Sequence, residues 1–165
     1  MAHTAALPVA QPAPPGLWVI HCDGSAIPNP GRMGLGATLL APDGQQHTLS
    51  HTSSLVGCNN EAEALAAIYA LQWLHAQAVR QVVLYTDNSI LAEQLGAPQP
   101  KRIARLSDLY EQARSLLALF ESVQLRWIPR HKNAIADALA RGEGAAGAAA
   151  IMGSARPPLS GCVPM

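Results

Sequence analysis

Four acidic residues stand where a carboxylate can do more than solvate a surface. Asp23 closes an apolar run that begins at Leu17 and is followed at once by GSAIPNPG, and Asp87 closes a second run, QVVLYT. Strand ends of open α/β sheets are where sites are commonly built. A carboxylate held there offers a hard oxygen of the kind Mg²⁺ prefers. Glu63 and Asp137 fall instead in the first turns of predicted helices, where each also has a purely local reading. Asn60 with Glu63 three residues later forms a capping box, and Asp137 complements the helix dipole behind Asn133 as N-cap.

The elements that must position these acids follow from periodicity and breakers. Residues 17 to 23 read as a buried strand, 34 to 44 as a second that closes in PDG, and 45 to 55 as a third, half-exposed one. A helix then opens at Asn60, with Leu65, Ile68, Leu71 and Leu74 at helical spacing. A strand at 81 to 87, a short helix at 89 to 95, a break at GAPQP, a longer helix over 103 to 120, a last strand at 122 to 129 and a short helix behind Asn133 complete the series. Three sequential strands followed by alternating helix and strand predict an α/β fold with a mixed sheet, its first three strands antiparallel and helices packed on it.

Composition sets the scale. With 165 residues, 49% hydrophobic and 13% charged, the chain can build one domain with a sizeable core. Residues 1 to 16, rich in Ala and Pro, and 142 to 165, rich in Gly, Ala and Pro, carry no sustained period, so the folded unit is expected at 17 to 141 with a flexible tail on each side. Prolines interrupt the first 20 residues, against a signal peptide, and no apolar stretch reaches the length of a membrane span. Cys22, Cys58 and Cys162 are an odd number without metal-type spacing, which argues against a disulfide framework and for a reducing, cytoplasmic setting. Eleven basic residues balance eleven acidic ones.

In combination the motifs resemble the type 1 ribonuclease H family, in its handle-less branch. DGSAIPNPG matches the family's first-strand motif, NNEAEALAAI its first helix, LYTDNSI its strand ending in TD, and RHKNAIADALA its final Asn before Ala-Asp. The resemblance spans about 125 of the 165 residues. It implies a ribonuclease H-like fold, a five-stranded mixed sheet with helices on both faces, and an endoribonuclease that cuts the RNA strand of RNA/DNA hybrids to 5′-phosphate and 3′-hydroxyl ends. The family's catalytic and metal-binding carboxylates map onto Asp23, Glu63, Asp87 and Asp137, which would hold two Mg²⁺ ions, with Mn²⁺ as a substitute. Two ions about 4 Å apart stabilise the entering and departing oxygens of an in-line displacement.

With four acids so occupied, eleven cations face seven free acids, a net +4 toward a polyanion. PKRIAR and RWIPRHK supply the basic surface, and the family's basic handle is reduced to GAPQPKR, which implies salt-sensitive binding. By resemblance Asn29, Asn59 and Asn60 are substrate-binding candidates, and Arg130 and His131 join them from the basic stretch RWIPRHK. Trp127 stands where many relatives carry a mobile histidine, and Cys58 where they carry a threonine. His21, Trp18 and Trp73 read as packing residues. A monomer without membrane contact is expected. A hybrid-binding module without activity and another nuclease on the same fold are the alternatives. A pure binder, however, has no use for a repulsive set of four acids.

Overall fold

The structure, a computed structural model, describes residues 16 to 143 together with Ala149 and Ala150. The apolar run at the start becomes β1 (Leu17–Ile27), which pairs antiparallel with β2 (Gly31–Leu40), itself antiparallel to β3 (Gln46–Gly57). Helix α1 (Asn59–Ala76) leads to β4 (Gln81–Thr86), α2 (Ser89–Gly96) to α3 (Ser107–Leu117), then β5 (Ser122–Trp127) and α4 (Ala134–Ala140). Both β4 and β5 run parallel to β1, so the long strands lie in the order β5-β4-β1-β2-β3. The five-stranded mixed sheet expected from the sequence is present. A two-residue strand, β6 (Ala149–Ala150), adds itself parallel to His47 and Thr48 on the β3 edge. Apart from Gly16, Gly142, Glu143 and that pair, the tails expected at 1 to 16 and 142 to 165 lie outside the described residues.

Two boundaries differ from expectation for a physical reason. β1 does not end at Asp23 but runs on to Ile27, because β2 continues to pair with it as far as Ile27↔Arg32. What stops is its other neighbour: the β4 ladder ends at Cys22↔Thr86, so from Asp23 onward β1 is paired only with β2. The helix expected over 103 to 120 is α3 preceded by a 3-10 turn (Ala104–Leu106).

Alternation along β1 assigns the two faces. Trp18, Ile20 and Cys22 join the core beneath α1, whose Ala-rich surface is buried on ten of its 18 residues between the sheet and α3. Any side chain at Gly24 would collide with the backbone of Ala62 and Glu63, so its absence lets the first turn of α1 lie directly on β1. On the opposite face, a side chain at Gly36, the partner of Asp23 across the ladder, would strike the backbone of Ala136 and Ala140. Helices on both faces therefore close on the same part of β1, one against Gly24 and the other beside Asp23.

Candidate active site

That convergence brings three carboxylates together. Ligand oxygens of Asp23 on β1, Glu63 just past the first turn of α1 and Asp87 just past β4 all lie within 4.8 Å of one another. Asp23 and Glu63 are buried, with 2% and 7% of their surface exposed, and Asp87 is half-buried. Asp137, on α4, stands beside this trio: its carboxylate interacts with Asp23, and Oδ2 pairs with Arg141 Nη2 at 3.1 Å, one helical turn on.

Concentrating negative charge out of water raises the proton affinity of the group. Burial, then the Asp87 charge and the contact with Asp137, push Asp23 up to about 7. Burial, then the charges of Asp23 and Asp87, push Glu63 up to about 9. Burial chiefly, with the same carboxylates, raises the Cys22 thiol as well. Glu63 Oε2 is buried without a hydrogen-bond partner among the described residues. A set of hard oxygen donors, mutually repelling and incompletely satisfied, fits a divalent cation.

The protein arranges this trio with amides. Asn133 is 1% exposed, and its Nδ2 donates to the Cys22 carbonyl at 2.9 Å and to Asp87 Oδ2 at 3.1 Å. It occupies the N-cap position of α4, yet its side chain makes no cap bond; the expected capping role gives way to one that ties α4, β1 and Asp87 together. The capping box at α1 also fails to form. The helix starts at Asn59 behind Cys58, and Asn60 instead accepts a 2.9 Å hydrogen bond on Oδ1 from Asn88 Nδ2. Trp127, exposed at the end of β5, donates its indole N–H to the Asp87 carbonyl at 3.1 Å.

The remaining candidates line the approach. Asn29 is exposed, and its Oδ1 accepts the Asn59 N–H at 3.1 Å, while Asn59 Oδ1 accepts the Ala26 N–H at 2.8 Å. Arg130 and His131 are exposed on a 3-10 turn (Arg130–Lys132) that leads into Asn133. His131 and His21 both line a groove of about 390 Å³ under the start of α4, and His21 stacks on Tyr85 with centroids 4.8 Å apart. That contact gives His21 the packing role expected of it. Cys58 Sγ accepts a 3.5 Å contact from Arg105 Nη2, which brings one basic residue of PKRIAR to the start of α1.

A sequence model of the family described as reverse transcriptase-like matches residues 21 to 143, the stretch that holds all four acids. The chain belongs to the reverse transcriptase-like, ribonuclease H-type family. A ribonuclease H of Rhodopseudomonas palustris is 31% identical over 141 residues, covering 74% of this chain and 89% of that protein. A bifunctional protein of Mycobacterium tuberculosis is 30% identical over 124 residues; the match covers 74% of this chain but 34% of that relative's length. Among solved structures, a type 1 ribonuclease H of the archaeon Halobacterium salinarum superposes with a TM-score of 0.68 at 27% identity, covering 78% of this chain and 97% of that one. This ribonuclease H-type chain thus spans about a third of its bifunctional relative.

Sequence reasoning missed Asn88 and the true role of Asn133. Asn88 has a local reading as the cap of the helix at 89 to 95, but its bond to Asn60 joins residues 28 apart. Asn133 likewise has one, an Asn at a helix start, but the same pattern describes an ordinary N-cap.

Proposed function

We propose that this chain is an endoribonuclease that hydrolyses the RNA strand of RNA/DNA hybrids and leaves 5′-phosphate and 3′-hydroxyl ends. The observation that carries the reading is the meeting of Asp23, Glu63 and Asp87 within 4.8 Å on three separate elements, in a chain of the ribonuclease H-type family. When bound, two Mg²⁺ ions would generate the attacking hydroxide and stabilise the departing 3′ oxygen. Asp23, on the central strand of the sheet, would hold both ions together with its three neighbours. Glu63 and Asp87 would serve the leaving-group side and Asp137 the water side. Asn133 keeps Asp87 turned inward through its bond to Oδ2.

Asn29, Asn59 and Asn60 meet the nucleic-acid backbone and groove, and Arg130 with His131 meets phosphate. Such contacts read the shape and the 2′-hydroxyls of an RNA-containing duplex, not its base sequence. The folded unit is 17 to 141, acting as a monomer. The test is a substrate panel of end-labelled RNA/DNA, RNA/RNA, DNA/DNA and single-stranded RNA, each with Mg²⁺, Mn²⁺ or EDTA. Metal-dependent cutting of the hybrid alone is expected. Tight hybrid binding with no cutting under either metal would overturn the reading in favour of a binding module, and cutting of DNA/DNA would overturn the substrate.

A further inference from the structure

The asparagines of the substrate approach share a feature that their sequence does not display. An amide side chain offers one acceptor oxygen and two N–H donors, and which end faces outward must be settled by its fixed neighbours. Backbone N–H groups are such fixed neighbours, because they can only donate. Asn59 Oδ1 is taken by the N–H of Ala26 and Asn29 Oδ1 by the N–H of Asn59, so each turns its NH₂ end away from the protein contact. Among the described residues no backbone N–H of this kind serves Asn60. Its orientation is relayed: the Leu91 N–H binds Asn88 Oδ1 at 3.0 Å as the cap of α2, which forces Asn88 to present Nδ2, and Asn88 Nδ2 then claims Asn60 Oδ1 at 2.9 Å.

We infer that Asn88 is a positioning residue that locks the polarity of Asn60, completing a set of three asparagines that offer the nucleic acid N–H donors and no free carbonyl. The inference rests on the proposed function and sharpens it: the site reads acceptor atoms of the substrate, such as base-edge nitrogens and sugar or phosphate oxygens, and not the proton of a hydroxyl. Acceptors are what the minor groove presents at every base pair, A·T and T·A showing nothing else and G·C adding one N–H donor. The helix cap of α2 and the chemistry of substrate reading are thereby one network.

A double-mutant cycle tests this, with binding of an RNA/DNA hybrid measured in Ca²⁺ and kept separate from Mg²⁺-dependent cleavage. Asn88→Ser keeps a cap acceptor but cannot reach Asn60. It is expected to weaken binding about fivefold, the worth of one well-placed hydrogen bond, and to raise KM by more than it lowers kcat. In an Asn60→Ala background the same substitution should change the dissociation constant by less than about twofold, because the group it orients is gone. Additive effects of the two substitutions would overturn the role of Asn88. A second variant does not depend on that result. Asn60→Asp accepts from Asn88 but faces outward with an acceptor, and should bind the hybrid more weakly than Asn60→Ala; binding equal to the unaltered chain would overturn the donor-only reading. If the unaltered chain binds hybrid without cutting it, the catalytic reading fails while the cycle still tests Asn88.

Discussion

The carboxylates and the asparagines are neighbours in space and opposites in energetics. Asp23, Glu63 and Asp87 crowd like charges into a largely buried corner, leaving a Glu63 oxygen unpartnered, whereas Asn29, Asn59 and Asn60 each have their acceptor satisfied by the protein. One region is built unfinished and awaits cations; the other is finished on its inner side and leaves only its outward groups to the substrate. Substitutions should therefore act in opposite senses on the two. Removing a carboxylate relieves the metal-free protein, while removing a structural amide damages it.

The largest effect is expected at Asp23. Asp23→Asn keeps the shape of a 2%-exposed side chain and deletes one of the repelling charges. Hybrid cleavage should fall by about a thousandfold or more, the order seen when a preorganised electrostatic group is lost. Thermal unfolding in EDTA should move up by about 3 °C or more. A variant that melts lower and still cuts would break the contrast between the two regions.

The pH dependence follows from the same repulsion. Asp23 and Glu63 start from ordinary values of 3.8 and 4.5 and reach about 7 and about 9 in the folded chain. The folded state therefore holds more protons than the unfolded one between those limits, and stability declines as pH rises. In EDTA the melting temperature should be highest below about pH 4, as far as these two groups are concerned, and fall steadily from there through pH 7 toward 9. Saturating Mg²⁺ should flatten the slope above pH 7. A metal-free melting temperature that climbs from pH 5 to 9 would contradict the crowding.

Asn133→Ala tests the opposite sign. It removes the donor to the Cys22 carbonyl and to Asp87 from a position 1% exposed, at a cost of about 1–3 kcal/mol. Melting should drop with or without metal, unlike Asp23→Asn, and activity should fall as Asp87 loses its orientation. The smallest effect belongs to Trp127→Phe, which removes only an exposed hydrogen bond to the Asp87 carbonyl. A loss of about two- to threefold in kcat/KM with little change in melting is expected.

Periodicity places the elements, but the strand-end and helix-start acids become a candidate site only through the ordered motifs that resemble the ribonuclease H family. The errors cluster where tertiary contacts overrule local chemistry. GSAIPNPG reads as the end of a strand because Gly and Pro are breakers, yet β2 pairs with β1 through its first four residues, Gly24 to Ile27, and Gly24 is there to admit α1. Asn60 followed by Glu63 fits a capping box, but the start of α1 is tied into the tertiary structure: Glu63 stands against Asp23 and Asp87, and Asn60 accepts from Asn88. Asn133 was legible as a helix start and illegible as the partner of Cys22, which lies 111 residues away. Local windows see the helix; only the folded sheet shows what its first residue holds.

The bond between the Ala26 N–H and Asn59 has a consequence for motion. Beyond Cys22, β1 has lost the support of β4, and a strand held on one side frays readily. At Ala26 a single side-chain amide substitutes for the missing strand. The solvent exchange of that one N–H becomes a gauge of how firmly Asn59 is seated. Slow exchange that persists in Asn88→Ser but collapses in Asn59→Ala would show that the edge of the sheet and the substrate approach open and close together.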